Sequence, residues 1–354
     1  MKPLPLLSSS MNWLKMLEDL SFRKLIYGSK CPEKLNYDFN KNGELRHVDT
    51  NEPFNFNYNN SLDSNHKRYE ALGHLIIEYV YELLEQVCKL QKIYIPIDGA
   101  DNEPKSFIFL SENALRNCPT LVVLLQDRGV FRAGQWCQKA IIHEGLQYGT
   151  QIPFITMALQ CSWEVIVLNP NDNYIALKTE KEEFSCVLKS PHVIPKRYNS
   201  SPEEHTTYVW DHFISKSTAG NVAFIAHGYG GLVFINLLMQ RTVEVMNKVY
   251  AVALVDSTHN TVHQTQGNFQ IREWIQKHCR KWVSNNKPLD KAVGNSMKMD
   301  CPTVSTGTEK HSFAPSSSLH SIFKYLKNEM KVSTKSHFVR SPIATRSRKV
   351  MKKT

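Results

Sequence analysis

The amino-acid sequence predicts an α/β fold, with a mostly parallel, doubly wound sheet and helices on both of its faces. Two observations carry this prediction. Short apolar runs alternate along the chain with stretches of helical periodicity, which is typical of parallel strands joined by helical crossovers. In addition, the apolar run Val222–Ala226 ends in the glycine-rich corner Gly228–Gly231, and an apolar helical stretch begins at once at Leu232. Strand, tight turn and helix in this order are the layout of the nucleophile elbow of α/β-hydrolases, so an α/β-hydrolase-like fold is expected.

The predicted elements follow one another with short connections. A β-hairpin is expected over Tyr37–Val48, because Asn42 and Gly43 tolerate the positive φ of a tight turn. Ser201 should cap a helix that runs to about Ser215, since Pro202 and two glutamates follow it. The other predicted helices run from about Ser64 to Leu90, within Ile152–Gln160, over Ile271–Val283 and over Leu319–Met330. The other predicted strands are Lys92–Ile97, Ser106–Leu110, Thr120–Leu125, Glu164–Leu168, Val249–Val255 and Thr303–Gly307.

Composition and charge exclude several classes of protein. The chain of 354 residues is 42% hydrophobic, but no run approaches the roughly 18 apolar residues of a membrane helix, so no transmembrane segment is expected. The eight cysteines are scattered without a CxxC pair, which favours reduced core cysteines and a cytosolic or nuclear protein. Eight basic and no acidic residues follow Met330, so the first 330 residues carry only about +2 of the net charge of +10. The body is therefore not a basic nucleic-acid platform, and no direct sequence-specific nucleic-acid binding is expected.

Three segments are predicted. Residues 1–34 form an N-terminal arm with a candidate amphipathic helix, which could be a docking helix or a packed arm. Residues 35–332 form the α/β domain, from which residues 172–199 project as a polar loop. Residues 333–354 lack apolar periodicity and form a disordered basic tail. The cluster Arg346–Lys353 could be a nuclear-import signal, a weak contact for nucleic acid or acidic lipid, or a solvated tail.

Part of a hydrolase triad is present in the predicted chain order, and part is missing. Asp256 ends the strand Val249–Val255, where the triad acid belongs, and His311 follows the last strand, where the base belongs. A turn aspartate and an exposed loop histidine are the alternatives. Gly228 stands at the nucleophile position and has no side chain with which to attack a carbonyl. Asp127 lies in the stretch that should supply the oxyanion hole, where a carboxylate would repel a developing oxyanion. Gly228, Asp256 and His311 are therefore expected to be degenerate triad positions without catalytic function, and Ser257 is the alternative, displaced nucleophile.

Cofactor and metal sites are not expected. His259 and His263 would share a face of a helix, but the residues around them are poor helix formers, so loop histidines that bond nearby backbone are the simpler interpretation. The glycine-rich corner Gly228–Gly231 could attract an anion at a helix N-terminus. It lacks the Lys-Ser/Thr of a phosphate loop and a full GxGxxG, so no nucleotide cofactor is predicted.

Several blocks resemble one known family, in order and residue by residue. The blocks are Lys67–Gly73, Glu103–Phe109, Arg132–Trp136, Gly149–Phe154, Val167–Asn171, Ser201–His205, Val209–Phe213 and Leu254–Ser257. They resemble the cotranscriptional-regulator family with sequence similarity number 172, whose core is the Argonaute-binding-protein domain of the ARB-two type, an α/β-hydrolase-like fold. The likeness covers about Tyr37 to Leu326, and the chain resembles a divergent, B-type paralogue.

The resemblance also implies where this chain departs from its relatives. The family's elbow is similar to Ala-His-Ser-Tyr-Gly-Gly, with serine where this chain has Gly228. Its oxyanion stretch is similar to Ile-His-Gly-Ser-Gly, where this chain has Leu125–Gly129, while Asp256 and His311 match the acid and base. The charged insert of the relatives is shortened here to about Lys178–Ser200. The implied role is to bind Argonaute or chromatin-associated proteins, in small-RNA silencing or alternative splicing, in the nucleus and cytoplasm, as a pseudo-hydrolase.

Overall fold

The computed structural model of the chain describes Phe22 and residues 35–176, 193–294 and 300–338. The candidate helix of the N-terminal arm, most of the polar loop and shortened insert, and the chain after Phe338 lie outside these ranges. The one described residue of the arm, Phe22, is fully buried. Its ring centroid lies 5.2 Å from that of Phe39 and 5.3 Å from that of Tyr79. At this residue, therefore, the arm packs on the domain.

The strands form one large sheet and two small hairpins. The hairpin predicted over Tyr37–Val48 is confirmed, because β1 and β2 pair antiparallel and Gly43 has a φ of 73° in the turn. β7 and β8 form the second hairpin. The strands are β1 Tyr37–Phe39, β2 Leu45–His47, β3 Gln91–Ile95, β4 Ser106–Leu110, β5 Thr120–Leu125, β6 Glu164–Val167, β7 Tyr174–Ala176, β8 Val193–Pro195, β9 Asn221–His227, β10 Val249–Val255, β11 Cys279–Val283 and β12 Thr303–Ser305.

The large sheet has eight strands in the order β12-β11-β10-β9-β5-β6-β4-β3. The strands from β12 to β6 are parallel, whereas β4 pairs antiparallel with both β6 and β3. The predicted fold class is confirmed: the sheet is mostly parallel and has the α/β-hydrolase-like strand–turn–helix at its centre. β5, β9 and β10 are neighbours, so the residues that follow them meet at one edge of the sheet, where sites in such folds are found.

Helices cover both faces of the sheet. The alternation along β5 shows the two layers: Val122 and Leu124 belong to the core on one face, and Leu121 and Val123 to the core on the other. α1, α4 and α10 pack on the first face, and α5, α6 and α9 on the second. The helices are α1 Leu62–Gln86, α2 Gln138–Glu144, α3 Leu146–Gly149, α4 Ile152–Gln160, α5 Pro202–Val209, α6 Tyr229–Gln240, α7 Thr242–Lys248, α8 Thr261–Gln264, α9 Phe269–His278 and α10 Ala314–Phe338.

The helix that begins after Ser201 has the predicted cap. The Oγ of Ser201 accepts a hydrogen bond from the backbone N–H of Glu204 at 3.1 Å, and Pro202 stands at the first helical position. The helix continues past α5 as a π-helical turn over Trp210–Ile214, close to the predicted end.

The helix predicted from about Ser64 to Leu90 is α1, Leu62–Gln86, and two other predicted helices also have different bounds in the structure. The helix predicted over Ile271–Val283 ends at His278, and Cys279–Val283 is instead strand β11, which pairs parallel with β10 and β12. The prediction was wrong there because the buried residues continue the helical period from Ile275 through Cys279 to Trp282, although the latter two belong to a strand. The closing helix α10 is longer than predicted and runs to Phe338, because neither glycine nor proline interrupts it after Pro315.

Candidate functional site

The predicted elbow has the backbone of a nucleophile elbow. β9 ends at His227, α6 begins at Tyr229, and Gly228 between them has a φ of 55° and a ψ of −120°. A side chain is strained at such a positive φ, and glycine avoids this strain. The Gly228 N–H donates to the carbonyl of Val255 at 2.9 Å, and its carbonyl accepts from the N–H of Thr258 at 3.1 Å. Gly228 is thereby fixed to the end of β10.

The Asp127 carboxylate occupies the space in front of Gly228. A Cβ built on Gly228 would lie 2.2 Å from Cγ, 2.3 Å from Oδ2 and 2.5 Å from Oδ1 of Asp127. Oδ1 accepts hydrogen bonds from the backbone N–H of Tyr229 at 2.6 Å and of Arg128 at 2.7 Å. In α/β-hydrolases, the N–H of the residue after the nucleophile is an oxyanion-hole donor. Here the corresponding N–H, that of Tyr229, is bonded to an internal carboxylate.

His311 bridges two carboxylates. Its Nδ1 lies 3.0 Å from Oδ2 of Asp256, and its Nε2 lies 3.1 Å from Oδ2 of Asp127. The structure thus brings together the predicted acid and base, and adds Asp127 on the side where a nucleophile would stand. The hydrogen bonds to Asp127 and Asp256 raise the pKa of His311 to about 9, although burial opposes this. An imidazolium that donates to both carboxylates is therefore the form at neutral pH.

The two carboxylates are ionised in this arrangement. Burial opposes the charge of Asp127, but hydrogen bonds from His311 and from the N–H groups of Tyr229 and Arg128 outweigh it, so its pKa lies below the usual range. Burial likewise opposes the charge of Asp256, and hydrogen bonds from His311 and Ser284 lower its pKa. The backbone N–H of Ser284 donates to Oδ1 of Asp256 at 2.6 Å, and its hydroxyl donates to Oδ2. A general base needs a neutral imidazole, which this charge pattern disfavours.

His227 lies beneath His311 and is not among the residues that the sequence singles out. The two rings stack with centroids 4.4 Å apart, and the Trp136 ring packs edge-on at 6.0 Å. Among the described residues, no atom meets hydrogen-bond geometry with either ring nitrogen, although a backbone group of His311 lies near. Burial, together with the charge of His311, lowers the pKa of His227 to about 4, so this ring is neutral.

A second constellation lies on the segment that follows Asp256. The hydroxyl of Ser257 lies 2.6 Å from Nδ1 of His259, and Nε2 of His259 lies 3.0 Å from Oδ1 of Asp300. Thr261 also donates to that Asp300 oxygen, at 2.8 Å. The expectation that His259 bonds only nearby backbone was therefore wrong, because folding brings Asp300 from a distant part of the chain to its ring. His263 is exposed on the short helix α8, which begins only after His259.

The relay of Ser257, His259 and Asp300 has the groups of a catalytic triad but little space for a substrate. The side chain of His259 is 0% exposed, and Ser257 is buried. The Ser257 hydroxyl faces the first turn of α6, where a Cβ built on Gly231 would lie 1.8 Å from it. These contacts tie the segment after β10 to the helix of the elbow.

A family model with the description "Arb2 domain" matches residues 29–289 of the chain. The human protein ARB2BP is 53% identical over 354 residues, which cover 94% of this chain and 98% of that protein. The human protein "Cotranscriptional regulator ARB2A" is 46% identical over 341 residues, which cover 86% of this chain and 82% of that protein. Among solved structures, that of the histone deacetylase Clr3 aligns with 73% of this chain and 39% of its own, at 15% identity and a TM-score of 0.45.

Within the described residues, no helix combines the length and hydropathy needed to cross a bilayer.

Proposed function

The chain belongs to the Arb2 domain family, and on this premise we propose that it is a non-catalytic regulator with a hydrolase-like fold. It acts by binding Argonaute or chromatin-associated proteins, in small-RNA silencing or alternative splicing, and it works in the nucleus and the cytoplasm. The proposal is supported by its relatives, several of which are named cotranscriptional regulators.

One observation carries the non-catalytic part of the proposal: the Asp127 carboxylate fills the elbow. It stands where a nucleophile side chain would start and takes up the Tyr229 N–H that would stabilise an oxyanion. It also helps to keep His311 protonated, so the imidazole is a poor base at neutral pH. Loss of one oxyanion donor alone costs about 100-fold to 1,000-fold in kcat in hydrolases. Asp127 and Gly228 together thus affect the nucleophile, the oxyanion hole and the general base.

The binding role is tested by affinity purification of the tagged full chain from nuclear and from cytoplasmic extracts, followed by blotting for Argonaute. We expect a specific band that survives RNase treatment. An Asp256→Asn variant should retain the same band, because a non-catalytic role does not need the triad acid. If no Argonaute band appears in the purification from either extract, this partner is contradicted. If the band is lost only in Asp256→Asn, the centre formed by Asp256 and His311 takes part in binding.

A second candidate function is a serine-type ester or amide hydrolase with a displaced nucleophile. The observation that favours it is the relay from Ser257 through His259 to Asp300, at 2.6 and 3.0 Å. The buried hydroxyl that faces Gly231 opposes it. A fluorophosphonate probe separates the two functions, with Ser257→Ala as the matched control. We expect no labelling of the wild-type chain; labelling that disappears in Ser257→Ala would favour the hydrolase.

A further inference from the structure

Three side chains around Gly228 offer ligand atoms of the kind that transition metals bind. We propose that Asp127, His227 and His311 form a binding site for a divalent transition-metal ion, with Zn²⁺ the best match. Two imidazoles and one carboxylate, with further positions open to water, are a ligand set that Zn²⁺ uses in proteins. The proposal concerns metal binding alone and does not depend on which partner the protein has.

The spacing of the ligand atoms fits one ion. The ligand atoms of Asp127, His227 and His311 all lie within 4.8 Å of one another. Oδ2 of Asp127 and Nε2 of His311 are 3.1 Å apart. Around a tetrahedral Zn²⁺ with bonds of about 2.0–2.1 Å, ligand atoms stand roughly 3.3 Å apart, so this pair needs to open by only a few tenths of an ångström.

His227 provides an independent indication. It is buried and 1% exposed, and neither of its ring nitrogens meets hydrogen-bond geometry with another described atom. A backbone group of His311 is the nearest candidate partner. A buried polar group without a well-formed hydrogen bond needs an explanation, and a bound ion or an ordered water is one. The His227 ring is stacked on the His311 ring. To bind a metal ion, His227 therefore has to rotate so that one of its nitrogens faces the space between Asp127 and His311.

Outer hydrogen bonds already hold two of the ligands. Asp256 accepts from Nδ1 of His311, which leaves Nε2 for the ion and reproduces the carboxylate–histidine–metal arrangement of many zinc sites. The N–H groups of Tyr229 and Arg128 bond Oδ1 of Asp127, which leaves Oδ2 for the ion. Gly228 leaves the space in front of these atoms free of a side chain of its own.

The charge at the site also suits a cation. The carboxylates of Asp127 and Asp256 flank the His311 ring, at 3.1 Å from Nε2 and at 3.0 Å from Nδ1. A metal ion would take the place of any proton on Nε2, which passes to solvent, while Nδ1 still donates to Asp256. The other cluster of ligand types, His259 with Asp300 and Cys301, is less suitable. Both nitrogens of His259 have partners there, and Nζ of Lys281 already lies 4.0 Å from Asp300.

The test is calorimetric titration of the full chain with Zn²⁺ alone, after purification without a metal-affinity tag and treatment with a chelator. We expect one equivalent of Zn²⁺ per chain. Asp127→Asn should weaken binding by about 100-fold, and Asp256→Asn, which removes only the outer partner, by about 10-fold to 100-fold. His227→Phe keeps the stacked ring and removes its nitrogens, so it should weaken binding like Asp127→Asn. His263→Ala, on the exposed helix α8, is the matched control and should leave binding unchanged.

Anomalous diffraction at the zinc edge from crystals of the wild-type chain locates the ion and does not depend on the folding of a variant. A peak between Asp127, His227 and His311 is the expected result. No stoichiometric binding, equal binding by wild type, Asp127→Asn and His227→Phe, or a peak at His259, Asp300 and Cys301 would each overturn the proposal.

Discussion

The Asp127 carboxylate occupies the space that a side chain at Gly228 would need. A Cβ on residue 228 would lie 2.2 Å from Cγ of Asp127, a distance that real Cβ atoms do not adopt. The Asp127 carboxylate therefore fits only beside a glycine at residue 228. Gly228→Ser alone would create a clash, and Asp127→Gly alone would remove the hydrogen bonds that Asp127 accepts from Tyr229 and His311.

The first prediction is thermodynamic coupling between these two residues. Gly228→Ser should lower the free energy of unfolding by about 2–3 kcal/mol, because strain at positive φ adds to the clash with Asp127. Asp127→Gly together with Gly228→Ser should recover about 1–2 kcal/mol of that loss. Denaturant unfolding of the four members of the cycle measures the coupling. Additive effects of the two changes would contradict the steric account.

The second prediction concerns engineered ester hydrolysis. Gly228→Ser alone should restore almost no activity, since Asp127 still holds the Tyr229 N–H and His311. Asp127→Gly with Gly228→Ser should be faster by about 100-fold or more, because it frees the oxyanion donor. Hydrolysis of a p-nitrophenyl ester measures this, and adding His311→Gln to the double variant is the control that should abolish the gain. A single variant as active as the double one would show that Asp127 does not block the centre.

The third prediction is a pH dependence of stability. The pKa of His311 is raised in the fold, so its ion pairs stabilise fully below the unfolded value near 6.5 and lose their effect as the pH rises through about 9. The His311 side chain is 49% exposed, so solvent screening reduces the effect to about 1 kcal/mol. Unfolding free energies from pH 6 to pH 10 should fall more steeply for the wild type than for His311→Gln. Parallel profiles for the two proteins would contradict this.

The fourth prediction is that the Ser257 relay is structural. Ser257→Ala would leave Nδ1 of the buried His259 without its partner, which should cost about 1–3 kcal/mol of stability. Ser317→Ala, on the exposed side of α10, is the control and should change stability by less than about 0.5 kcal/mol. Thermal unfolding compares the two. If Ser257→Ala leaves the stability unchanged, the hydrogen bond between Ser257 and His259 does not stabilise the fold.

The order of strand, glycine corner and helix was sufficient to predict the elbow, and local pattern predicted every strand of the large sheet except β11. The meeting of Asp256 and His311 could also be expected, since parallel strands bring their carboxyl ends to one edge. The direction of the Asp127 side chain could not, because it depends on a backbone N–H that lies 102 residues further along the chain. The role of Asp300 beside His259 escaped prediction for the same reason: 41 residues separate them, and only tertiary packing joins them.

Phe22 has a practical consequence for anyone who cuts this protein into fragments. Its ring covers Phe39 and Tyr79, so the domain's apolar interior includes a residue that precedes the predicted boundary at residue 35. A fragment that starts at residue 35 would expose both rings to water and should be prone to aggregate during expression. Because removing a buried phenylalanine side chain costs about 3–5 kcal/mol, such a fragment would also be a poor reference for measuring the strength of partner binding.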